Sequence, residues 1–214
     1  SLLNMGKIIT FANQKGGSGK TTLSVNLAVL WSNSQYRVAV IDADSQNSLK
    51  YWLEARKKYY GEDNIGIDSY SYEASTITES VKKIKRKYDF IIIDSPPSIT
   101  FDTIQILQSV DRVYVPVLPS PIDLMATIPF LNLVKQQRKK ATIVLNRVMP
   151  RAKLTEAMIL RLRYAGAKIA RSRISSKVIF AETYAVGRGV IDINVTSAAS
   201  REIINIGNEI IRNF

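Results

Sequence analysis

Short apolar runs punctuate the chain, and amphipathic stretches fill the spaces between them. Residues 7–12 (KIITFA), 37–43 (RVAVIDA), 88–93 (YDFIII), 112–118 (RVYVPVL) and 141–145 (ATIVL) each read as a buried strand, being short, nearly continuous in apolar residues and rich in β-branched ones. Residues 65–72 and 167–174 are weaker strands of the same kind. Apolar positions recur at helical spacing in 21–31 (Leu23, Leu27, Ala28, Leu30, Trp31) and in 73–87, 124–137, 154–164 and 197–212. Continuous apolar strands separated by helices predict an α/β fold: one doubly wound, mainly parallel sheet with helices on both faces. Ligands of such a sheet bind beyond the C-terminal ends of its strands. Ser1–Asn4 precede Met5 and read as an appended remnant, leaving residues 5–214 as a single domain.

Composition narrows the chemistry. The 214 residues include no Cys and no His, which excludes disulfide scaffolds, thiolate-held metals and His-based triads. No apolar run approaches the roughly 18–20 residues of a membrane span. The net charge of +12 is concentrated. Thirteen cations and a single acid, Glu156, fall within residues 135–177, so this stretch carries the whole excess. Such a cluster can hold a polyanion, or it can be a solvated basic face. A second run, Lys82, Lys83, Lys85, Arg86 and Lys87, closes a predicted helix, where cations suit the C-terminal dipole.

Residues 13–22 read N-Q-K-G-G-S-G-K-T-T between the first strand and the first helix. Gly16, Gly17, Ser18 and Gly19 let the backbone turn and aim N–H groups inward, and the helix adds its positive end. Lys20 can reach phosphate oxygens, and the Thr21 hydroxyl can sit on Mg²⁺. Three more features stand at strand ends. Asp42-Ala-Asp44-Ser-Gln46 places acceptors where water attacks a phosphate, or caps the next helix. Asp94-Ser-Pro96-Pro97 places a carboxylate after an apolar strand, where it can hold Mg²⁺ directly or through water. Asn146-Arg147 offers an amide that suits a purine edge, or a turn.

K-G-G-S-G-K-T (Lys15 to Thr21) resembles the deviant Walker A box of the ParA/MinD superfamily of P-loop ATPases. The D-A-D-S-Q and D-S-P-P boxes, Leu145-Asn146-Arg147 and a block from Ser172 to Arg188 (SRISSKVIFAETYAVGR) extend the resemblance, with Ser45 where the family usually has Pro and Lys177 about where it often has Arg. The resemblance implies a P-loop NTPase fold and ATP hydrolysis with Mg²⁺, weak alone and stimulated by a partner protein and DNA. It makes Lys15 the lysine that crosses an ATP-sandwich homodimer to the partner's nucleotide. It makes Lys15, Lys20 and Asp44 catalytic, and Thr21 and Asp94 the Mg²⁺ residues, Asp94 directly or through water. Residues Lys15 to Thr22, with Asn146 and Arg147, hold the nucleotide. The chain starts almost at the phosphate-loop strand, which suggests a short form without an N-terminal DNA-binding extension. The closing segment, 205–214, has Arg212 as its only cation, too few for a basic membrane helix.

The resemblance therefore implies a cytoplasmic, nucleoid-associated partition protein that segregates a plasmid or chromosome with a ParB-like or other centromere-binding partner. Alternatives are positioning of a protein cargo, such as a microcompartment or chemoreceptor array, and a MinD-like spatial regulator. Non-specific DNA contact is expected from Arg171, Arg173 and Lys177 first, with Arg171 and Arg173 on one face of a strand. Arg161, Arg163 and Lys168 follow, the first two being too far apart around a helix to share a face closely.

Overall fold

The computed structural model describes residues 6–17 and 19–214. Ser18 and the expected remnant, residues 1–4, lie outside them. Seven parallel strands form one sheet: β1 (Lys7–Phe11), β2 (Val38–Asp42), β3 (Asp68–Ser71), β4 (Phe90–Asp94), β5 (Arg112–Val117), β6 (Ala141–Leu145) and β7 (Ala167–Ile169). Their order is β3-β2-β4-β1-β5-β6-β7, and every pairing is parallel. The apolar runs are continuous because both faces are covered. Along β4, Phe90 and Ile92 enter one core, while Ile91 and Ile93 enter the other.

On the first face lie α1 (Lys20–Asn33), α2 (Ser48–Tyr60), α7 (Val178–Ala185), α8 (Val190–Ile193) and α9 (Ala198–Arg212); on the second lie α3 (Ile77–Ile84), α4 (Phe101–Ser109), α5 (Pro121–Gln136) and α6 (Glu156–Tyr164). Trp31 of α1 stacks on Phe90 with ring centroids 4.0 Å apart, anchoring that helix to the sheet. The helix expected over 73–87 is shorter, with 3₁₀ turns at Ala74–Thr76 and Lys85–Lys87 on either side of α3. Helix α5 begins earlier than expected, because Ser120 caps it and Pro121 occupies its first position.

The strand expected over 167–174 pairs only as far as Ile169. Beyond it, two carboxylates of α9 take up backbone donors. Glu209 accepts from Arg171 N (3.1 Å) and Ser172 N (2.9 Å), and Glu202 accepts from Ser175 N (2.9 Å). The segment still leans on β6, through Ala170 N to Ile143 O (2.8 Å) and Ile174 N to Leu145 O (3.0 Å), while the carboxylates take the donors of Arg171, Ser172 and Ser175.

Candidate functional site

The phosphate loop leaves β1 and is fastened to the neighbouring elements before it turns. Asn13 donates through Nδ2 to Pro116 O (3.0 Å) on β5, and Gln14 donates through Nε2 to Ala126 O (2.6 Å) on α5. Gly17 (φ 74°) and Gly19 (φ 96°) then adopt left-handed backbone. A Cβ at Gly19 would stand 2.0 Å from Asn146 Nδ2, so glycine is required by contact as well as by conformation. Lys20 opens α1. Its ammonium is buried and donates to Asn13 O at 3.2 Å. Burial lowers its pKa, against the pull of Asp94 and Asp44.

The acidic side sits across paired strand ends, where Asp94 faces Phe11 in one register and Asp42 in the other. Thr21 Oγ1 donates to Asp94 Oδ2 at 2.9 Å. Asp94 Oδ1 is buried with no hydrogen-bond partner among the described residues. Burial, helped by Asp42 and Asp44, pushes the Asp94 carboxyl up to about 7, against the Thr21 hydrogen bond and Lys20. Asp42 is also raised, mainly by burial. Asp44 does not cap the next helix: it accepts from Gln46 N (3.0 Å), while α2 is preceded by Asn47, which makes no side-chain cap.

Lys20, Thr21 and Asp44 face a cavity of about 210 Å³, with Asp94 behind Thr21. Gly16, Gly17, Gly19, Lys20, Thr21 and Thr22 form its floor, and Asp44, Gln46, Pro97 and Arg147 its walls. Two wall residues carried no separate sequence signal: Ser48 and Tyr184, joined by a hydrogen bond from Tyr184 Oη to Ser48 O (2.7 Å). Burial pushes the Tyr184 phenol up to about 12. Arg147 stands at the wall with φ 52°, while Asn146 is buried against Gly19 and does not line the cavity. Left-handed glycines ahead of a helix start, with a buried ammonium, fit a polyphosphate. The half-satisfied Asp94 beside the Thr21 hydroxyl fits Mg²⁺, which would neutralise phosphate charge when bound.

Lys15 stands apart from this cavity. Its ammonium pairs with Asp123, the third residue of α5. Asp123 is nearly buried and is oriented by Ser120, whose hydroxyl donates to Oδ2 and accepts from Asp123 N (3.1 Å). The pattern S-P-I-D is a capping signature that the sequence carried. Nothing local connects it to Lys15.

Four of the expected DNA residues, Arg163, Lys168, Arg171 and Arg173, gather by the β7 edge of the sheet, whereas Arg161 and Lys177 line neither of its concavities. Lys168 lies on β7, whereas Arg171 and Arg173 lie past its end; they are not on a strand, contrary to expectation, though both project outward around the inward-leaning Ser172. Arg163, Lys168 and Arg171 frame one concavity, and Arg171, Arg173 and Arg212 frame the next. Arg212 of α9 joins the group across 39 residues of chain and was missed for that reason. Arg161 and Arg163 are exposed on α6, and Arg161 reaches Met125 Sδ at 3.6 Å. Lys177 is exposed at the start of α7.

Residues 9–190 match the model of the CobQ/CobB/MinD/ParA nucleotide binding domain. The chain is 30% identical over 210 residues, 95% of each sequence, to the maintenance of carboxysome distribution protein A of Halothiobacillus neapolitanus. It is 26% identical over 252 residues to the sporulation initiation inhibitor protein Soj of Bacillus subtilis, covering 98% of this chain and 100% of Soj. Among solved structures, the Cyanothece McdA–ATP complex shares the fold, with a TM-score of 0.78, 18% identity and 97% of both chains covered. Among the described residues, no helix is long and apolar enough to cross a membrane.

Proposed function

Because the chain belongs to the CobQ/CobB/MinD/ParA nucleotide-binding family and has its ATPase fold, we propose that it is an ATP-driven positioning protein whose cargo is a protein assembly of the carboxysome kind. The observation that carries the ATPase reading is the convergence of Lys20, Thr21 and Asp44 on one cavity at the strand ends, with Asp94 buried behind Thr21 and Lys15 held outside. Gly16, Gly17, Ser18, Gly19 and Thr22 cradle the phosphates, Lys20 neutralises them, and Thr21 and Asp94 hold Mg²⁺. Asp44 orients the attacking water. Arg147 packs at the base, and Asn146 reaches the adenine only by leaving Gly19. Lys15 meets the phosphates of a second copy in a sandwich dimer.

The dimer joins two basic edges and so holds DNA by phosphate contacts without reading sequence. Hydrolysis, stimulated by a partner bound to the cargo, returns the monomer and releases the DNA. The protein-cargo reading is supported by the full-length similarity to the carboxysome distribution protein, and it displaces plasmid or chromosome segregation as the first choice. Segregation is kept as the second reading because the similarity to Soj is also full-length. Deleting the gene separates them: clustered protein assemblies with stable DNA inheritance support the first, whereas DNA loss with evenly spaced assemblies overturns it.

A further inference from the structure

We propose that Tyr184 is a positioning residue for hydrolysis: its hydroxyl pins the segment that carries Asp44 to α7 and so holds that carboxylate at the phosphate cavity. The inference rests on the ATPase reading above, in which Asp44 orients water. Asp44 is tethered by bonds within its own short segment. Its N donates to Asp42 Oδ1 (3.1 Å), its Oδ1 accepts from Gln46 N (3.0 Å), and its carbonyl accepts from Asn47 N (3.1 Å). The last bond closes a turn over residues 44–47, in which Ser45, Gln46 and Asn47 are exposed. Two features leave that turn soft. Ser45 takes its first central position, where Pro would restrict the backbone most. Asn47 has left-handed backbone (φ 61°) and gives α2 no side-chain cap.

The hydrogen bond from Tyr184 Oη to Ser48 O (2.7 Å) supplies an anchor from another helix, one residue past the turn. The Tyr184 ring packs against the first core, which fixes the anchor in place. Burial pushes the phenol up to about 12, so at neutral pH the hydroxyl keeps its proton and donates. Tyr184, Ser48, Gln46 and Asp44 all line the same cavity. A shift of Ser48 passes to Asn47, to the turn and to Asp44, because each is joined to the next by the backbone or by the bonds above. A small misplacement of a group that orients water is costly in rate. The hydroxyl acts on the segment rather than on the nucleotide, so its loss slows turnover and spares affinity.

The test compares the whole parent chain with Tyr184→Phe, which keeps the ring and removes only the hydroxyl. Backbone hydrogen exchange without nucleotide, followed by NMR, reads the pin directly. The Gln46 and Asn47 amides should exchange several-fold faster in Tyr184→Phe, with the central strands unchanged. Single-turnover ATP hydrolysis with Mg²⁺ should slow roughly three- to tenfold, as for one lost hydrogen bond, while affinity for a non-hydrolysable analogue stays within about twofold of the parent. Stiffening the turn separates positioning from packing. In a Ser45→Pro background, removing the Tyr184 hydroxyl should cost less than about twofold in rate, which a merely structural role of Tyr184 would not produce. An unchanged rate, an equal loss in both backgrounds, unchanged exchange at residues 46–47, or a loss that falls on affinity instead of rate each overturns the proposal. A parent chain that does not hydrolyse ATP sinks the ATPase reading instead, and the exchange still decides whether Tyr184 holds the segment.

Discussion

The buried charges around Arg56 and those at the phosphate loop differ in completeness. Arg56 of α2 is buried beside Asp192 of α8. Its Nη1 donates to Asp192 Oδ2 (2.9 Å) and to Gly187 O (3.1 Å), and its plane lies 4.7 Å from the Tyr60 centroid and 5.3 Å from that of Trp52. Asp192 Oδ2 also accepts from Gly189 N (2.8 Å). Gly187 fits there because its φ is 73° and a Cβ would stand 2.2 Å from Arg56 N. At the phosphate loop, by contrast, Lys20 finds a single neutral acceptor and Asp94 leaves one oxygen unpaired. A buried charge with every partner supplied by the chain is architecture. A buried charge whose partners are withheld waits for a ligand.

Breaking the complete cluster should cost the most. Arg56→Ala leaves Asp192 buried without its cation and should destabilise the fold by about 3–5 kcal/mol, read as a lowered midpoint in urea. A loss below about 1 kcal/mol would put the Arg56 cluster among the weak surface pairs.

The incomplete cluster should respond with the opposite sign. The folded Asp94 carboxyl titrates near 7, above its ordinary 3.8, so the folded chain binds the extra proton between those values. The contribution of Asp94 to stability without nucleotide is therefore full below 3.8 and is lost as pH rises through 7. Asp94→Asn, which retains the acceptor for Thr21, should remove that fall and stabilise the ligand-free chain at pH 8 by on the order of 3 kcal/mol. It should also abolish the gain in stability on adding Mg²⁺ with nucleotide. Parallel pH profiles for parent and variant would contradict the contrast.

Lys20→Ala comes next. It should leave folding intact and lower ATP affinity roughly a hundredfold, as expected when a charge-assisted contact to phosphate is lost. Calorimetric titration checks it. The smallest effect belongs to the exposed charges, which neither cluster includes. Arg171→Glu with Arg173→Glu should flatten the log–log salt dependence of DNA binding by about one to two units, with nucleotide affinity unchanged. An unchanged slope in filter binding would move the DNA surface to residues 135–140 or 82–87.

The incomplete cluster was the more legible from sequence, because its groups are packed into motifs. Lys15 to Thr21 are consecutive, and Asp44 and Asp94 each end an apolar run. Helix α2 was not singled out: Leu49, Trp52, Leu53 and Arg56 follow helical spacing, but a buried arginine among lysines and tyrosines looks like a solvent face. Contacts made by distant residues left no such mark. Asp123 meets Lys15 across 108 residues, Tyr184 meets Ser48 across 136, and Glu209 ends the β7 ladder from α9. A hydrophobic period shows which face is covered, but it does not show which side chain takes up a backbone donor.

The strand order also governs when this site can come into being. β1 touches neither β2 nor β3; it lies between β4 and β5. During synthesis the first strand therefore waits, unpaired, until residues 90–117 have followed it. Its loop is then fastened by β5 itself, through Ala12 N to Tyr114 O (3.0 Å) and Asn13 to Pro116 O. Loop closures of that span slow folding and keep an apolar segment exposed meanwhile. ATP can therefore hold the chain only once the central strands have closed around its binding loop.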